Sequence, residues 1–220
     1  MITFAWGVPA YRSTVDVGLL YQAFCMGALS SGALRHEVQF TGLVHVDTCD
    51  VAHARNLLVY QAMERKCDWL LMTDADTFAA DPQRGSIATL ASVIMANKAD
   101  IAAVGALVPM RNRGGYNALL SDSDGYRPFS PEEISEIFGQ GQIKYCDRLG
   151  TAYLVINCKW LAAHCEAPWF KTDYGSDNGR PTKSGEDYHF SDKVRALGGR
   201  LMIDGRLIVR HTGADGTTHT

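Results

Sequence analysis

The chain has 220 residues, 46% of them apolar, and a formal charge of −3. That length suits one domain with a sizeable core, and the apolar share excludes a disordered chain. A slightly acidic balance without any basic block excludes a broad phosphate-gripping face for nucleic acid.

No stretch reaches the roughly 18 apolar residues of a membrane-spanning helix. Met1-Ile2-Thr3-Phe4-Ala5-Trp6-Gly7 lacks the basic start and long apolar core of a secretory leader. The cysteines (Cys25, Cys49, Cys67, Cys146, Cys158 and Cys165) form no CxxC pair, and their spacing does not suit a zinc site. Several sit inside apolar patterns and read as buried, reduced thiols, which points to a cytoplasmic setting.

In chain order, Ile2 to Val8 reads as a short strand closed by Pro9. Val15 to Leu34 carries a helical stripe of Val15, Leu19, Leu20, Ala23, Phe24, Gly27 and Ala28, ending near Gly32. Val38 to Val46 is a second strand. Asp50 then caps a helix from Val51 to about Arg65, with Val51, Ala54, Leu58 and Ala62 on one face. Trp69-Leu70-Leu71-Met72-Thr73 is an apolar run of the kind buried on both faces of a sheet. Asp81-Pro82 opens a helix to about Asn97, with Ile87, Leu90, Ala91, Ile94 and Met95 inward. Asp100 to Val108 is a further strand. Strands alternating with helices predict an α/β fold, a mostly parallel central sheet with helices on both faces.

The second half is less regular. Pro109 to Pro131 reads as a long polar loop, and Ser130-Pro131-Glu132-Glu133 as a capping-box start for a short helix ending at Gly139. Leu149 to Asn157 is a strand and Lys159 to Cys165 a short helix. Lys171 to Gly185 is a second polar loop. A last helix runs from about Glu186 to Leu197 and stops at Gly198-Gly199; Leu201 to Val209 closes the pattern as a strand, and the tail after His211 is expected to fray.

The chemistry concentrates at Asp74-Ala75-Asp76, which ends the apolar strand. Two acids there stand in the crevice where open α/β sheets bind ligands. If strand alternation persists, both point to one side and converge on one hard cation such as Mg²⁺ or Mn²⁺. An ordinary solvated turn after a strand would look the same. Gly185-Glu186-Asp187 adds two acids in the first turn of the last helix, and His211 follows the last strand.

Taken in order, Ala54-Arg55-Asn56, Asp74-Ala75-Asp76, Glu186-Asp187 before an aromatic-containing helix, and the late His211 resemble the GT-A-fold glycosyltransferases, particularly family-2-like members. The resemblance runs over nearly the whole chain. It implies a single GT-A-like domain over residues 1–220, with 1–108 as the nucleotide-sugar-binding half and 109–220 as the acceptor-binding, catalytic half. It implies transfer of a sugar from a UDP- or GDP-sugar to an acceptor hydroxyl. Mn²⁺ or Mg²⁺ would sit on Asp74, Asp76 and His211, with Asp74 also reaching the ribose. Asp187 would be the base of an inverting displacement and Glu186 an acceptor-orienting partner. Pro9, Ala10, Tyr11, Asp47, Arg55, Asp74 and Ala75 would meet the donor, Tyr11 by stacking on the base; Arg55 could equally fix the DxD turn or form a structural salt bridge. Arg111, Arg113, Lys183 and Arg210 are the cations available for phosphate or an anionic acceptor. Trp169, with Phe170, suits a sugar platform or a core position.

Asp74-Ala75-Asp76-Thr77 also matches the DxDx(T/V) signature of haloacid-dehalogenase-type phosphatases, where Asp74 would be the nucleophile. At least two strands precede it here, whereas that family places its nucleophile on the first. A nucleotidyltransferase and a non-catalytic nucleotide-sugar-binding module are the remaining alternatives.

Overall fold

The computed structural model describes residues 1–9, 16–48, 50–99, 101–110, 115–177, 180–212 and 218–219. Its first half runs β1 (Ile2–Pro9), α1 (Val17–Ser31), β2 (Val38–Val46), α2 (Val51–Glu64), β3 (Trp69–Thr73), β4 (Thr77–Ala79), α3 (Pro82–Lys98) and β5 (Ala103–Gly105). A hairpin of β6 (Ala118–Asp122) and β7 (Gly125–Pro128) follows, then α4 (Pro131–Gln140), β8 (Ile143–Cys146), β9 (Arg148–Leu149), β10 (Tyr153–Asn157) and α5 (Cys158–His164). The chain ends with β11 (Asp173–Asp177), β12 (Arg180–Ser184), α6 (Glu186–Ala196), β13 (Leu201–Asp204), β14 (Val209–Thr212) and β15 (Thr218–His219).

Side-chain caps fix where the helices start. Asp16, Asp50, Asp81, Ser130 and Asn157 each accept a first-turn amide, sparing a backbone donor that the helix itself cannot satisfy. Ser130 and Glu133 close the expected capping box, and α4 runs one residue past Gly139 to a left-handed Gly141 (φ 58°) that a side chain would strain.

The central sheet has seven strands in the order β2-β1-β3-β10-β5-β13-β8. β2, β1, β3, β5 and β13 point one way, while β10, between β3 and β5, and β8, on the outer edge, run against them. The sheet is thus mostly parallel, and helices cover both faces. Phe4, Trp6, Trp69 and Leu71 pack toward the α1 and α3 side, and Leu70 and Met72 toward the α2 and α5 side, so β3 is buried on both faces as its composition requires. Because β2 and β3 flank β1, the chain reverses direction across the sheet there, and the carboxyl ends of β1 and β3 open a crevice at that switch point.

Several sequence expectations are corrected. The Pro109–Pro131 stretch, read as a loop, holds the β6–β7 hairpin, to which β9 adds a third strand. The Lys171–Gly185 stretch holds the β11–β12 hairpin. Leu201–Val209 is not one strand: the chain turns after Asp204, where Leu207 N–H bonds back to the Asp204 carbonyl at 3.0 Å, and β14 leaves for a small sheet with β4 and β15. Thr218–His219 does not fray but pairs with His211 and Thr212. Among the described residues no helix is long and apolar enough to cross a membrane. Cys25, Cys67, Cys146, Cys158 and Cys165 are free thiols; Cys49 lies outside the described residues. Burial pushes the thiols of Cys146, Cys158 and Cys165 up, which keeps them protonated and inert.

Candidate functional site

β3 stops at Thr73, and the two acids of the DxD lie in a turn. Thr77 N–H bonds the Asp74 carbonyl at 3.1 Å, closing a four-residue β-turn over Asp74-Ala75-Asp76-Thr77. The chain on every side pins this turn. Asp74 N–H donates to Ala152 O at 3.0 Å, Asp16 N–H to Ala75 O at 2.8 Å, and Thr212 N–H to Asp76 O at 2.9 Å. Strand alternation therefore ends one residue too early to align the carboxylates, and they part company. Asp74 faces α2. Asp76 faces β14.

On the α2 side stands Arg55, with only 4% of its side chain exposed. Its Nη2 donates to Asp74 Oδ1 at 2.6 Å, and its Nη1 donates to Glu186 Oε1. The Arg55 Nε is buried and has no partner among the described residues. Burial alone would depress the guanidinium pKa, but Asp74 and Glu186 outweigh it and hold that pKa above its ordinary value. Arg55 is a fixed cation.

Asp187 lies beside this pair in the first turn of α6, its Oδ1 accepting its neighbour Tyr188 N–H at 2.8 Å. Burial, and next the charge of Glu186, push its carboxyl above the ordinary value, against the opposing pull of the Tyr188 amide and Arg55. α6 is held in place by a packing face: Phe190 stacks on Phe170 at 4.7 Å, and the Ser191 hydroxyl bonds both the N–H and carbonyl of Leu149.

On the β14 side, His211 Nε2 lies 3.6 Å from Asp76 Oδ1, and its Nδ1 lies 3.4 Å from the Pro109 carbonyl oxygen. His211 sits inside β14, opposite Thr77 of β4, rather than after a last strand. Among the described residues no three His, Cys, Asp or Glu side chains converge on one metal position, so the trio of Asp74, Asp76 and His211 expected from sequence is split. What remains is one carboxylate and one imidazole, a donor pair that suits a divalent ion completed by diphosphate oxygens and water.

The other expected site residues fall as follows. Pro9 ends β1 and Asp47 follows β2, both at the carboxyl edge of the sheet, and Ala75 is the middle of the turn. Ala10, Tyr11, Arg111 and Arg113 lie outside the described residues. Lys183 is in β12, opposite Tyr174, with its side chain outside the description. Arg210 is exposed on β14. Trp169 is 7% exposed, its indole N–H on the Cys165 carbonyl, so it takes the core position and offers no platform.

Asn56, next to Arg55, received no role from the sequence. Its carboxamide accepts from Trp169 N–H and Phe170 N–H and donates to the carbonyls of Ala52 and Phe170, tying the segment that leads to α6 onto α2. Its place in the Ala54-Arg55-Asn56 run was the available signal. A groove of about 650 Å³ opens there, bordered by Asp50, His53, Asn56, Phe170, Lys171 and Tyr174.

No protein-family model and no curated protein sequence matches this chain. Solved structures do match. A197 from STIV superposes with a TM-score of 0.60 at 14% identity, covering 99% of this chain and 93% of that one. GalNAc-T7, in a structure with UDP, GalNAc and Mn²⁺, superposes with a TM-score of 0.55 at 13% identity, covering 96% of this chain and 44% of that one. The fold is GT-A-like.

Proposed function

We propose that the protein is a glycosyltransferase that moves a sugar from a nucleoside-diphosphate sugar to an acceptor hydroxyl, by a single inverting displacement with Asp187 as base. One observation carries this reading: the carboxyl edge of a GT-A-like sheet gathers Arg55, Asp74, Glu186 and Asp187 on one side of the DxD turn and Asp76 with His211 on the other. GalNAc-T7, which has this fold, was crystallised with a nucleotide, a sugar and Mn²⁺. Residues 1–108 would supply the donor side and 109–220 the acceptor side and the base.

Asp76 and His211 would hold Mn²⁺ or Mg²⁺, which supplies Lewis-acid neutralisation of the charge that grows on the departing diphosphate. Asp74, engaged by Arg55 through one oxygen, keeps the other for the ribose. Asp187 accepts the proton of the acceptor hydroxyl as that oxygen closes on the anomeric carbon. Its raised pKa moves it toward neutrality, where a general base works best. The nucleotide would be UDP or GDP.

The phosphatase alternative finds less support. Asp74 follows the third strand, and a buried arginine neutralises its carboxylate through one oxygen, which blunts it as a nucleophile. Incubation with Mn²⁺ and a panel of UDP- and GDP-sugars tests the proposal: donor hydrolysis or transfer is expected, and Asp76→Asn should abolish it. Turnover of p-nitrophenyl phosphate that depends on Asp74, without any donor cleavage, would overturn it.

A further inference from the structure

Glu186 and Asp187 are adjacent, yet the structure gives them different surroundings. Glu186 is 14% exposed and meets the Arg55 guanidinium. The first turn of α6 begins at Gly185, which makes no side-chain cap bond; Asp187 meets the Tyr188 N–H within the turn, whereas Glu186 reaches outside the helix to Arg55. The DxD turn, in contrast, is held by backbone bonds to Ala152, Asp16 and Thr212. Arg55 spans the two, one terminal nitrogen on each.

We propose that Arg55 is a positioning residue that couples the first turn of α6 to the DxD turn, and that Glu186 acts through Arg55 rather than on the acceptor. This rests on the glycosyltransferase reading. A planar guanidinium sets direction as well as distance, because its two donors leave one rigid fork; an ammonium on a flexible stem cannot hold two carboxylates in one fixed geometry. The fork reaches from Arg55 to a residue 131 positions along the chain, and so fixes where Asp187 stands relative to the donor. Arg55 touches Asp74 and Glu186; losing the Glu186 arm moves the first turn of α6 and falls on the chemical step, while losing the Asp74 arm also moves the acid that would face the ribose.

Donor hydrolysis separates the possibilities because water replaces the acceptor. UDP- and GDP-sugars with Mn²⁺ serve as the probe, with the wild type, Arg55→Lys, Glu186→Gln and the double variant compared. Misplacing a reacting group by about 1 Å costs on the order of 10²-fold. Arg55→Lys should therefore lower kcat for hydrolysis by about that factor. Glu186→Gln should lower kcat in the same direction. The double variant should be no worse than the poorer single one, since both break one linkage. Three results overturn the proposal while leaving the glycosyltransferase reading intact. They are hydrolysis unaffected by Glu186→Gln, effects that multiply in the double variant, and a raised donor KM in Glu186→Gln. A wild type that cleaves no donor overturns both. Where Arg55→Lys does not fold, the hydrolysis rate of Glu186→Gln alone decides: reduced kcat at constant donor KM supports the coupling, and an unchanged rate refutes it.

Discussion

At the scale of single residues, Asp187 shows how a catalytic assignment and a stability cost share one cause. Burial and the neighbouring Glu186 raise its pKa in the folded protein. The unfolded chain therefore loses this proton at lower pH than the folded one. Between the two values the folded state holds more protons, so stability falls as pH rises from the ordinary carboxylate range through the raised value, and stays lowered above it. Asp187→Asn removes the ionisable group while keeping its shape. Its expected outcome is a higher Tm at neutral pH and no gain well below the ordinary carboxylate pKa, read by thermal melts at both pH values. In the same variant donor turnover should fall about 10²–10⁴-fold, and the rise of rate with pH that the base produces should disappear. A variant that melts lower at neutral pH, or turns over at the wild-type rate, would remove Asp187 from this role. The acids and the histidine were readable from sequence because their chemistry is local to short motifs. The partner of Arg55 was not: Glu186 lies 131 positions away, and only the folded sheet brings the two together.

At the scale of elements, the connection between α2 and α6 runs through Asn56. Its side chain serves two amides and a carbonyl in Trp169-Phe170, and Phe170 then stacks on Phe190 of α6. Asn56→Ala strips those backbone groups of their partners, and leaving buried polar groups unmet costs about 1–3 kcal/mol each. Water entering from the adjoining groove would offset part of this. A net loss of about 2 kcal/mol is expected, a Tm lower by about 4–8 °C for a chain of this length. Turnover should fall along with stability, because the same segment carries α6 and the proposed base; unchanged melting would show that the groove alone satisfies the segment. Helix faces illustrate why element reading from sequence fails in places. On α1 and α3 the inward positions include Gln22, Ser86, Thr89 and Ser92, while Leu20, Phe24 and Ile87 point outward. Gln22 bonds the Ala79 amide and the Tyr153 hydroxyl, and the serines and threonine bond carbonyls one turn back, so polar residues enter the core fully satisfied. A hydrophobic stripe cannot reveal that. The β6–β7 and β11–β12 hairpins were missed for a related reason: β7, β11 and β12 are short and mostly polar, and β6 offers only the brief run Ala118-Leu119-Leu120, so none carries an alternation to read.

At the scale of the whole molecule, the candidate site belongs to no single part of the chain. α2, the turn after β3, α6 and β14 each bring one or two groups; α2 and α6 cover one face of the central sheet, the turn stands at its edge, and β14 belongs to the small sheet beside it. The alternation of strands and helices in the first half made the α/β class legible. The two strands that run against the rest, β10 and β8, were not, because parallel and antiparallel neighbours in a buried sheet share one composition. A site assembled this way responds to ligand as a unit. In the proposed site Asp76 and His211 would be two protein donors, too few to hold a divalent ion tightly without phosphate oxygens, and the diphosphate in turn would gain little from the site without the ion. Mn²⁺ alone and UDP or GDP alone are therefore expected to move the melting transition only slightly, and the pair together much more. Ligand at about 100 times its Kd stabilises the folded state by about 2.7 kcal/mol. For a chain of this length that raises Tm by about 5–11 °C, as one cooperative transition, since the ligand's contacts tie elements from across the sheet. His211→Ala should erase most of the joint shift while leaving the unliganded Tm nearly unchanged, because the imidazole's polar contacts among the described residues are long, 3.4 Å to the Pro109 carbonyl and 3.6 Å to Asp76. A full shift with Mn²⁺ alone would point instead to a complete protein-made metal site. Equal joint shifts in the wild type and the His211 variant would place the ion elsewhere.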